Sequence, residues 1–374
     1  MEHASNLAPP ASKHRWHSRP ISQPSPRLAL ALIGPGRVGS RLMERLADGP
    51  AGWRLCAIAN SASIVMGDDL DVADWPEALA DSELVPDIEV LNEFLARQAA
   101  DRTIIIDATA SKTVASHHAD WLASGIDLVT ANKWGLAAPA KAWQRLMDAR
   151  RSRSVRYECL ATVGAGLPVL DTIGDLNRAD EAIVEIHGSL SGTMTRLLSD
   201  INAGLAPAQA LARAYAEGLT EPDPRCDLDG VDVARKLVIL AREAGIKLEL
   251  AEVQIDSLVP EQLRDVSLET FLRSASILDE CWARCAAAAP GQGEMLSFTG
   301  RLDHRGQARV GLEKVPADSA LASLKGAENR VEIRTACYRD SPLVIQGCGA
   351  GIEVTTLALW SGLMRISRCA ESDC

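Results

Sequence analysis

Residues 27–39 read RLALALIGPGRVG, and this stretch decides the fold that we expect for the first part of the chain. The apolar run 27–33 predicts a β-strand, and the apolar spacing over 38–46 predicts a helix. Three glycines with the Gly-x-Gly-x-x-Gly spacing separate the two elements: Gly34, Gly36 and Gly39. Strand, glycine turn and helix in this order are the context that a dinucleotide-binding fingerprint requires, because such a turn lets backbone N–H groups approach a pyrophosphate.

Three further apolar runs predict strands that belong with the first: residues 54–59, 103–108 and 126–129. A helix is predicted over residues 112–123, and the acidic, irregular residues 67–100 are interpreted as the connection between the second and third strands. Strands that alternate with helices predict an α/β fold built on a Rossmann-like sheet.

The ends of these strands carry the side chains that are expected beside a bound cofactor. Ligands of open α/β sheets lie outside the carboxyl ends of the strands. The third run ends at Thr109, Ala110 and Ser111, and the fourth leads to Asn132 and Lys133. Lys133 is therefore predicted to touch the cofactor or the substrate, with a solvated lysine before a helix as the alternative.

The end of the second strand bears on the choice of coenzyme. A carboxylate there would bind the ribose 2′-hydroxyl of NAD, but this chain has Asn60 followed by Ser61. A 2′-phosphate is then not repelled, and Arg37 could neutralise it, although a solvated Arg37 is an equal alternative. We expect NADP(H) to be preferred, with NAD(H) possible. The residues expected at the coenzyme are Gly34, Gly36, Arg37, Val38, Gly39, Asn60, Thr109, Ala110, Ser111 and Lys133.

Residues 218–236, GLTEPDPRCDLDGVDVARK, hold five acidic and three basic side chains. Two prolines exclude a helix or a central strand from the first half, whereas a helix is predicted from Asp229 to a stop at Gly245. Asp232 and Lys236 then share one helix face, a turn apart. A rigid acidic loop that leads into such a helix can bind a small polar molecule and move a proton. A solvated connector with a surface ion pair is the alternative.

The composition excludes several classes of partner. The 374 residues suffice for two or three domains and carry a formal net charge of −11, which argues against nucleic acids and anionic membranes. No apolar run approaches the ~18 residues of a membrane span. The first 26 residues are rich in Pro, Ser and His and are predicted to be a disordered tail. Nine scattered cysteines without a Cys-x-x-Cys pair favour a reducing, cytoplasmic compartment.

The second half of the chain mixes helices and strands without the alternation of the first. Strands are predicted at 156–162, 183–190, 296–302, 308–315, 331–338 and 343–345. Helices are predicted at 193–203, at 207–217, onward to about residue 289, and after the glycine turn 347–351.

Several motifs together resemble those of the homoserine dehydrogenase family, over roughly residues 28–368. The stretch 218–236 is specific to that family. Four shorter motifs stand in the family's order: Asn132-Lys133, residues 162–168 (TVGAGLP), residues 190–193 (LSGT) and Gly349-Ala350-Gly351. The chain departs from the family at Cys226, where an aspartate is common, at Leu219, where an aromatic residue is common, and at Leu160, where an acidic residue is frequent.

The resemblance implies the reversible reduction of L-aspartate 4-semialdehyde to L-homoserine with NAD(P)H, within threonine and methionine biosynthesis. It implies a nucleotide-binding domain at 27–157 after the tail at 1–26, and a second, α+β domain for substrate binding and dimerisation at 158–340. A C-terminal segment, 341–374, is expected to pack back on the nucleotide domain, and the molecule is expected to be a homodimer. A non-catalytic nucleotide-binding relative, or a dehydrogenase of another small amino-acid aldehyde or ketone, is the alternative.

The resemblance also implies roles for individual residues. Hydride delivery to an aldehyde creates an alkoxide that needs a positive or proton-donating neighbour, and the catalytic residues implied are Lys133, Lys236 and Asp232. The substrate-binding residues implied are Glu221, Asp227, Thr193 and Gly192. Gly349 and Gly351 are added at the coenzyme. A monovalent cation, usually Na+, is implied at main-chain carbonyls that could equally form only a tight turn: those of Leu160, Val163, Ala165 and Leu167.

Overall fold

The computed structural model describes residues 27–152, 155–285 and 293–372, so the predicted tail at 1–26 lies outside the described residues. Two six-stranded sheets organise the described chain. None of its helices combines the length and the apolar character that crossing a bilayer requires.

The first sheet contains β1 (Leu28–Ile33), β2 (Trp53–Ala59), β3 (Ile64–Met66), β4 (Arg102–Asp107), β5 (Asp127–Thr130) and β6 (Tyr157–Glu158). Its spatial order is β3-β2-β1-β4-β5-β6. All neighbouring strands are parallel except β3, which runs antiparallel to β2. The helices of this half are α1 (Arg37–Ala47), α2 (Trp75–Asp81), α3 (Ile88–Ala96), α4 (Lys112–Ser116), α5 (His118–Ala123) and α6 (Ala140–Ser152). The order confirms the Rossmann-like prediction.

The position of β1 explains why its sequence is apolar without alternation. All six of its residues are buried. Ala29 and Ile33 pack into one hydrophobic cluster, whereas Leu28 and Leu32 pack into another. Because β1 lies between β2 and β4 with a core on each face, both of its faces must be apolar. The chain reverses order here, between β1 and β4, which is the place where such sheets bind ligands.

The second sheet contains β7 (Ile183–Ser189), β8 (Gln254–Ile255), β9 (Glu294–Asp303), β10 (Ala308–Pro316), β11 (Glu328–Thr335) and β12 (Leu343–Cys348). Its order is β12-β11-β7-β9-β10-β8. The helices of this half are α7 (Val169–Arg178), α8 (Gly192–Asn202), α9 (Pro207–Ala216), α10 (Arg225–Leu228), α11 (Val231–Glu243), α12 (Leu268–Arg273) and α13 (Ser276–Cys285). Both α8 and α11 pack against β9.

The last two elements lie in different halves of the molecule. β12 pairs with β11 at the edge of the second sheet. The final helix, α14 (Ile352–Ser372), packs against α1 and β5 of the first half. Arg41 of α1 donates to Glu353 of α14 at 2.8 Å and ties the two helices together. The domain boundaries themselves stay a prediction.

Several predicted elements differ from the structure. The region expected to be helical to about residue 289 contains the short strand β8, and the strand expected at 331–338 is β11, which ends at Thr335. The strand expected over 156–162 is the two-residue β6, because the chain turns into a 3-10 segment at Leu160–Thr162. The helix expected over 112–123 is divided at His117 into α4 and α5. A four-residue helix, α10, begins directly after Pro224. The two prolines therefore exclude a helix only from the residues that precede α10.

Candidate active site

Both predicted catalytic lysines lie beside the same carboxylate. The Nζ of Lys236 lies 2.9 Å from Oδ2 of Asp232, and the Nζ of Lys133 lies 3.3 Å from Oδ1. The Lys236 ammonium also donates to the carbonyl of Leu190 at 2.7 Å. Lys133 and Lys236 are distant in sequence, so the fold brings two positive charges and one negative charge into one cluster. We call Lys133, Asp232 and Lys236 the lysine cluster.

Backbone geometry at the start of α11 places Asp232 and Lys236. Gly230 has φ +77°, a left-handed conformation that suits glycine, and a Cβ there would press on Ile255. Asp229 accepts a hydrogen bond from the N–H of Val231 at 2.8 Å and so helps to cap the helix. Asp232 then falls in the first turn, and Lys236 lies one turn further on the same face.

The electrostatics of the lysine cluster keep Asp232 ionised. Burial alone would raise the pKa of Asp232, but Lys236 and Lys133 outweigh it and hold that pKa well below its usual range. The Asp232 side chain nevertheless keeps 42% of its surface exposed, whereas Lys236 is buried. The carboxylate is therefore accessible to a ligand, and one N–H of the Lys236 ammonium is left over after its two bonds.

The predicted substrate-binding residues form a second group beside α8. Oδ2 of Asp227 accepts from the N–H of Glu221 at 2.8 Å. The hydroxyl of Thr193 donates to the carbonyl of Leu219 at 3.1 Å. Burial raises the pKa of Asp227 to about 6, because a partly buried carboxyl favours its neutral form. Gly192 begins α8 and is buried against Ala327.

Arg225 fixes the shape of this acidic loop and was not predicted as a site residue. Its guanidinium donates to both carboxylate oxygens of Asp223, with the shortest bond at 2.6 Å. It also donates to three carbonyls of a distant segment: those of Leu263, Arg264 and Val266. In the sequence, Asp223 and Arg225 are separated by a single proline. This pattern does not reveal the distant carbonyls to which Arg225 donates.

The glycine turn fits a pyrophosphate. A Cβ at Gly34 would lie 2.6 Å from Thr109, and a Cβ at Gly39 would collide with the carbonyl of Gly34. These two glycines are required by the packing of the protein itself. A Cβ at Gly36 would meet no described atom within 4 Å, and Gly36 caps α1 without a side-chain hydrogen bond. Gly36 thus leaves room at the start of α1, where a helix has N–H groups without intrahelical partners, as a phosphate-binding helix start requires.

The other predicted coenzyme residues surround this turn. Thr109, Ala110 and Ser111 follow β4 next to Gly34, and Val38 lies in the first turn of α1. Asn60 uses its side-chain oxygen to accept from the N–H groups of Ala62 and Ser63 at 2.7 and 2.8 Å. No carboxylate stands at positions 60 and 61, and Arg37 is exposed at the start of α1.

The glycines that precede α14 pack on a residue that sequence reasoning missed. A Cβ at Gly349 would collide with the side chain of Asn329, and Gly351 has φ +129°. Asn329 is fully buried, and among the described residues neither its amide nitrogen nor its amide oxygen has a partner. The buried amide leaves no room for a side chain at position 349, which accounts for the glycine there.

The predicted cation loop is a tight turn with two left-handed residues. Gly164 has φ +74° and Ala165 has φ +51°. The carbonyl of Leu167 accepts from the N–H of Val169 at 2.8 Å, which occupies one of its lone pairs. Val163 is fully buried, and Leu160 begins the 3-10 segment before it. The residues described here contain no group of three or more His, Cys, Asp or Glu side chains that could hold a metal.

A cavity of about 810 Å³ lies close to the site but is not part of it. Its lining includes Trp134, Lys112 and Leu250, and none of the residues of the lysine cluster. The indole of Trp134 stacks on the guanidinium of Arg235, with 4.0 Å from the guanidinium carbon to the ring centroid.

Family models match the two halves of the chain separately. The model described as homoserine dehydrogenase matches residues 168–364, and the model described as homoserine dehydrogenase, NAD binding domain, matches residues 34–159. The chain belongs to the homoserine dehydrogenase family. The match to an NAD-binding domain also supports NAD(P) binding by the first half.

Individual relatives agree with the family models. The chloroplastic bifunctional aspartokinase/homoserine dehydrogenase 2 of Zea mays is 34% identical over 91% of this chain, and the chain spans only 38% of its length. The homoserine dehydrogenase of Paracoccidioides brasiliensis is 32% identical, with 90% of this chain and 97% of that protein covered.

Solved structures share the fold. A Candida auris protein of unknown function is 29% identical with a TM-score of 0.84, over 92% of this chain and 99% of that one. A hyperthermophilic archaeal homoserine dehydrogenase in complex with NADPH is 20% identical with a TM-score of 0.69, over 91% and 97% of the two chains. The second likeness supports the fold alone.

Proposed function

We propose that this chain catalyses the reversible reduction of L-aspartate 4-semialdehyde to L-homoserine, as a step of threonine and methionine biosynthesis. The observation that carries the proposal is the lysine cluster, in which two ammonium groups share the carboxylate of Asp232. Reduction of an aldehyde places negative charge on its oxygen, and preorganised positive donors stabilise such charge most strongly. Membership of the family supplies the substrate class.

The first half of the chain holds the coenzyme in this proposal. The N–H groups at the start of α1 bind the pyrophosphate, and Gly36 leaves the space that it needs. Bound NAD(P)H supplies the hydride. Thr109 and Ser111 follow β4 and Lys133 follows β5, at the same edge of the sheet, so these residues line the place where the coenzyme would meet the substrate.

The second half holds the substrate. Glu221 and Asp227 attract its α-ammonium group, and Gly192 and Thr193 present the first N–H groups of α8 to its carboxylate. These contacts orient the aldehyde toward the lysine cluster. Lys133 and Lys236 then donate hydrogen bonds to the aldehyde oxygen, and one of the two ammonium groups gives the proton that converts the alkoxide to the hydroxyl of homoserine.

We further propose that NADPH is preferred over NADH. The absence of a carboxylate at Asn60 and Ser61 removes a repulsive partner for a 2′-phosphate, and the exposed Arg37 supplies a positive charge.

A monovalent cation is proposed at the turn 160–168, bound by the main-chain carbonyls of Leu160, Val163, Ala165 and Leu167. The left-handed conformations of Gly164 and Ala165 support it, because they turn successive carbonyls in different directions. Turnover should then be faster in sodium chloride than in the chloride of a bulky organic cation at equal ionic strength. Equal rates in the two salts would remove the cation from the mechanism.

A homodimer in a cytoplasmic compartment completes the proposal. The candidate interface is the face of the second sheet that points away from α8 and α11. There Glu313 accepts from His187 at 2.8 Å and from Arg301 at 3.2 Å, so the charges on this face are already paired. Light scattering of the chain and of Arg301→Glu tests the interface. A dimeric wild type with a dissociated variant is expected.

The test of the activity is NADPH oxidation followed by nicotinamide absorbance. Oxidation should occur with aspartate semialdehyde, and the reverse reaction should occur with homoserine and NADP. Small oxo acids without an α-ammonium group serve as controls and should react far more slowly, because Glu221 and Asp227 then have no partner. A chain that binds NADPH normally and turns over no semialdehyde would contradict the proposed activity.

A further inference from the structure

A buried polar network lies directly beneath the edge of the first sheet that carries Lys133. Nε2 of His118 lies 2.9 Å from Oδ2 of Asp107, and Nδ1 of His118 lies 3.1 Å from the hydroxyl of Tyr157. The side-chain nitrogen of Asn132 donates to the same Oδ2 at 2.9 Å. All four side chains are buried, and Asp107 and His118 have no exposed surface. We call Asp107, His118, Asn132 and Tyr157 the Asp107 network.

The hydrogen bonds of the Asp107 network fit one tautomer of His118. Burial raises the pKa of Tyr157 well above its usual value, so its hydroxyl keeps a hydrogen that it can donate to Nδ1 of His118. The tautomer with its hydrogen on Nε2 donates to Asp107 and leaves Nδ1 to accept from Tyr157. The other oxygen of Asp107 accepts from the N–H and the hydroxyl of Thr109 at 2.9 and 2.7 Å.

The Asp107 network holds the backbone on both sides of Lys133. Before it, Asn132 donates to the carbonyl of Ser111 at 2.8 Å as well as to Asp107. After it, the N–H of Trp134 donates to the side-chain oxygen of Asn132 at 3.0 Å. A Cβ at Gly135 would lie 2.9 Å from Nδ1 of His118, so this part of the loop rests on the imidazole.

We propose that His118 and Tyr157 are positioning residues, which hold the loop 132–135 in the position from which Lys133 reaches Asp232. Neither side chain touches the lysine cluster, and both act through Asp107 and Asn132. Because Thr109 donates to the same carboxylate, the network also holds in place the end of β4, where the coenzyme is proposed to lie. The kinetic part of this inference depends on the proposed function, whereas the structural part does not.

The variants separate positioning from general stability. His118→Leu removes the donor to Asp107, His118→Gln keeps an amide donor at a similar reach, and Tyr157→Phe removes a single hydroxyl. The matched control is Asp127→Asn, at the opposite end of the same sheet. Asp127 is also buried, and it accepts from the N–H of Arg156 at 2.7 Å and pairs with Arg102 at 3.4 Å. Its substitution should weaken the fold without moving the loop.

The first measurement is hydrogen–deuterium exchange, which needs neither substrate nor activity. In His118→Leu, amides of the loop 132–135 should exchange roughly 10-fold or more faster than in the wild type, since local opening sets their exchange. Tyr157→Phe should show a smaller increase, and His118→Gln should restore most of the protection. Loop exchange in His118→Leu no faster than in Asp127→Asn would overturn the proposal.

The second measurement is a kinetic cycle with Lys133→Ala. A misplaced catalytic group can lose about 10²-fold in rate, so His118→Leu should lower kcat by roughly 10- to 100-fold. In the Lys133→Ala background the same substitution should change kcat by less than about 2-fold, because residues that act as a unit are not additive. A full loss in both backgrounds would overturn positioning through Lys133. A wild type without turnover would contradict the proposed function only, and the exchange experiment would still decide this inference.

Discussion

Two carboxylates lie near the edge where the cofactor is expected, and their surroundings are opposite. Asp232 keeps 42% of its side chain exposed and is flanked by two ammonium groups. Asp107 has no exposed surface and accepts from the backbone and hydroxyl of Thr109, the ring of His118 and the amide of Asn132.

The difference shows how charge and geometry are divided within the site. Opposite charges near water remain available to a substrate, because solvent and ligand can both reach them. A buried network has no surface that a substrate can reach, but when its hydrogen bonds are all made it rigidifies the groups attached to it. The lysine cluster is thus suited to chemistry, and the Asp107 network is suited to holding the loop of Lys133 in place.

The largest expected effect comes from removing charge in the lysine cluster. Lys133→Met and Lys236→Met should each lower kcat by about 10²- to 10⁴-fold, since each removes a donor from the developing alkoxide. The dissociation constant of NADPH for Lys236→Met should stay near that of the wild type. Lys141→Met, at an exposed position in α6, is the matched control. A kcat of Lys236→Met within about 3-fold of the control would refute its catalytic role.

The same substitution at the two carboxylates contrasts them directly. Asp232→Asn should lower kcat by about 10- to 100-fold and should cost less unfolding free energy than Asp107→Asn, because the Asp232 side chain is 42% exposed. Asp107→Asn should lower the unfolding free energy by about 1–3 kcal/mol, because an amide nitrogen would then face buried donors. Chemical denaturation and steady-state kinetics of both variants provide the comparison. Equal loss of stability in the two would contradict the division between charge and geometry.

Substrate binding should depend on pH through Asp227. Its raised pKa of about 6 means that the carboxyl loses its charge as the pH falls through that value. The attraction for the substrate ammonium is then present above pH 6 and lost below it, so KM for the semialdehyde should rise by up to about 10-fold per unit at lower pH. Asp227→Asn should raise KM at neutral pH and flatten its pH dependence. An unchanged profile in the variant would exclude this residue as the source.

The smallest expected effect concerns the exposed Arg37. Arg37→Ala should raise KM for NADPH by about 2- to 5-fold, the range that an exposed ion pair supports, with KM for NADH unchanged. Added salt should reduce the difference, because it screens exposed charges. Equal changes for the two coenzymes would show that Arg37 does not contact the 2′-phosphate.

Local patterns in the sequence predicted much of this molecule. The strands of the first sheet are apolar because both faces are buried, and the glycine turn has a fixed spacing, so both are visible in a short window. The site residues at 133, 232 and 236 came from motifs. Three contacts join residues that are distant in sequence, so short patterns do not predict them. They are the contacts of Asp107 with His118, of Arg225 with residues 263–266, and of Gly349 with Asn329. Short elements such as β3 and β8 carry too few residues for a pattern.

Both ammonium groups of the lysine cluster are proposed to donate hydrogen bonds to one aldehyde oxygen. A crystal structure of the chain with coenzyme and homoserine would test this through the distances from the homoserine hydroxyl to the Nζ atoms of Lys133 and Lys236. Both distances are expected to be close to hydrogen-bond length, about 2.7–3.2 Å. A hydroxyl bound beyond the reach of both amines, with the coenzyme in place, would contradict it.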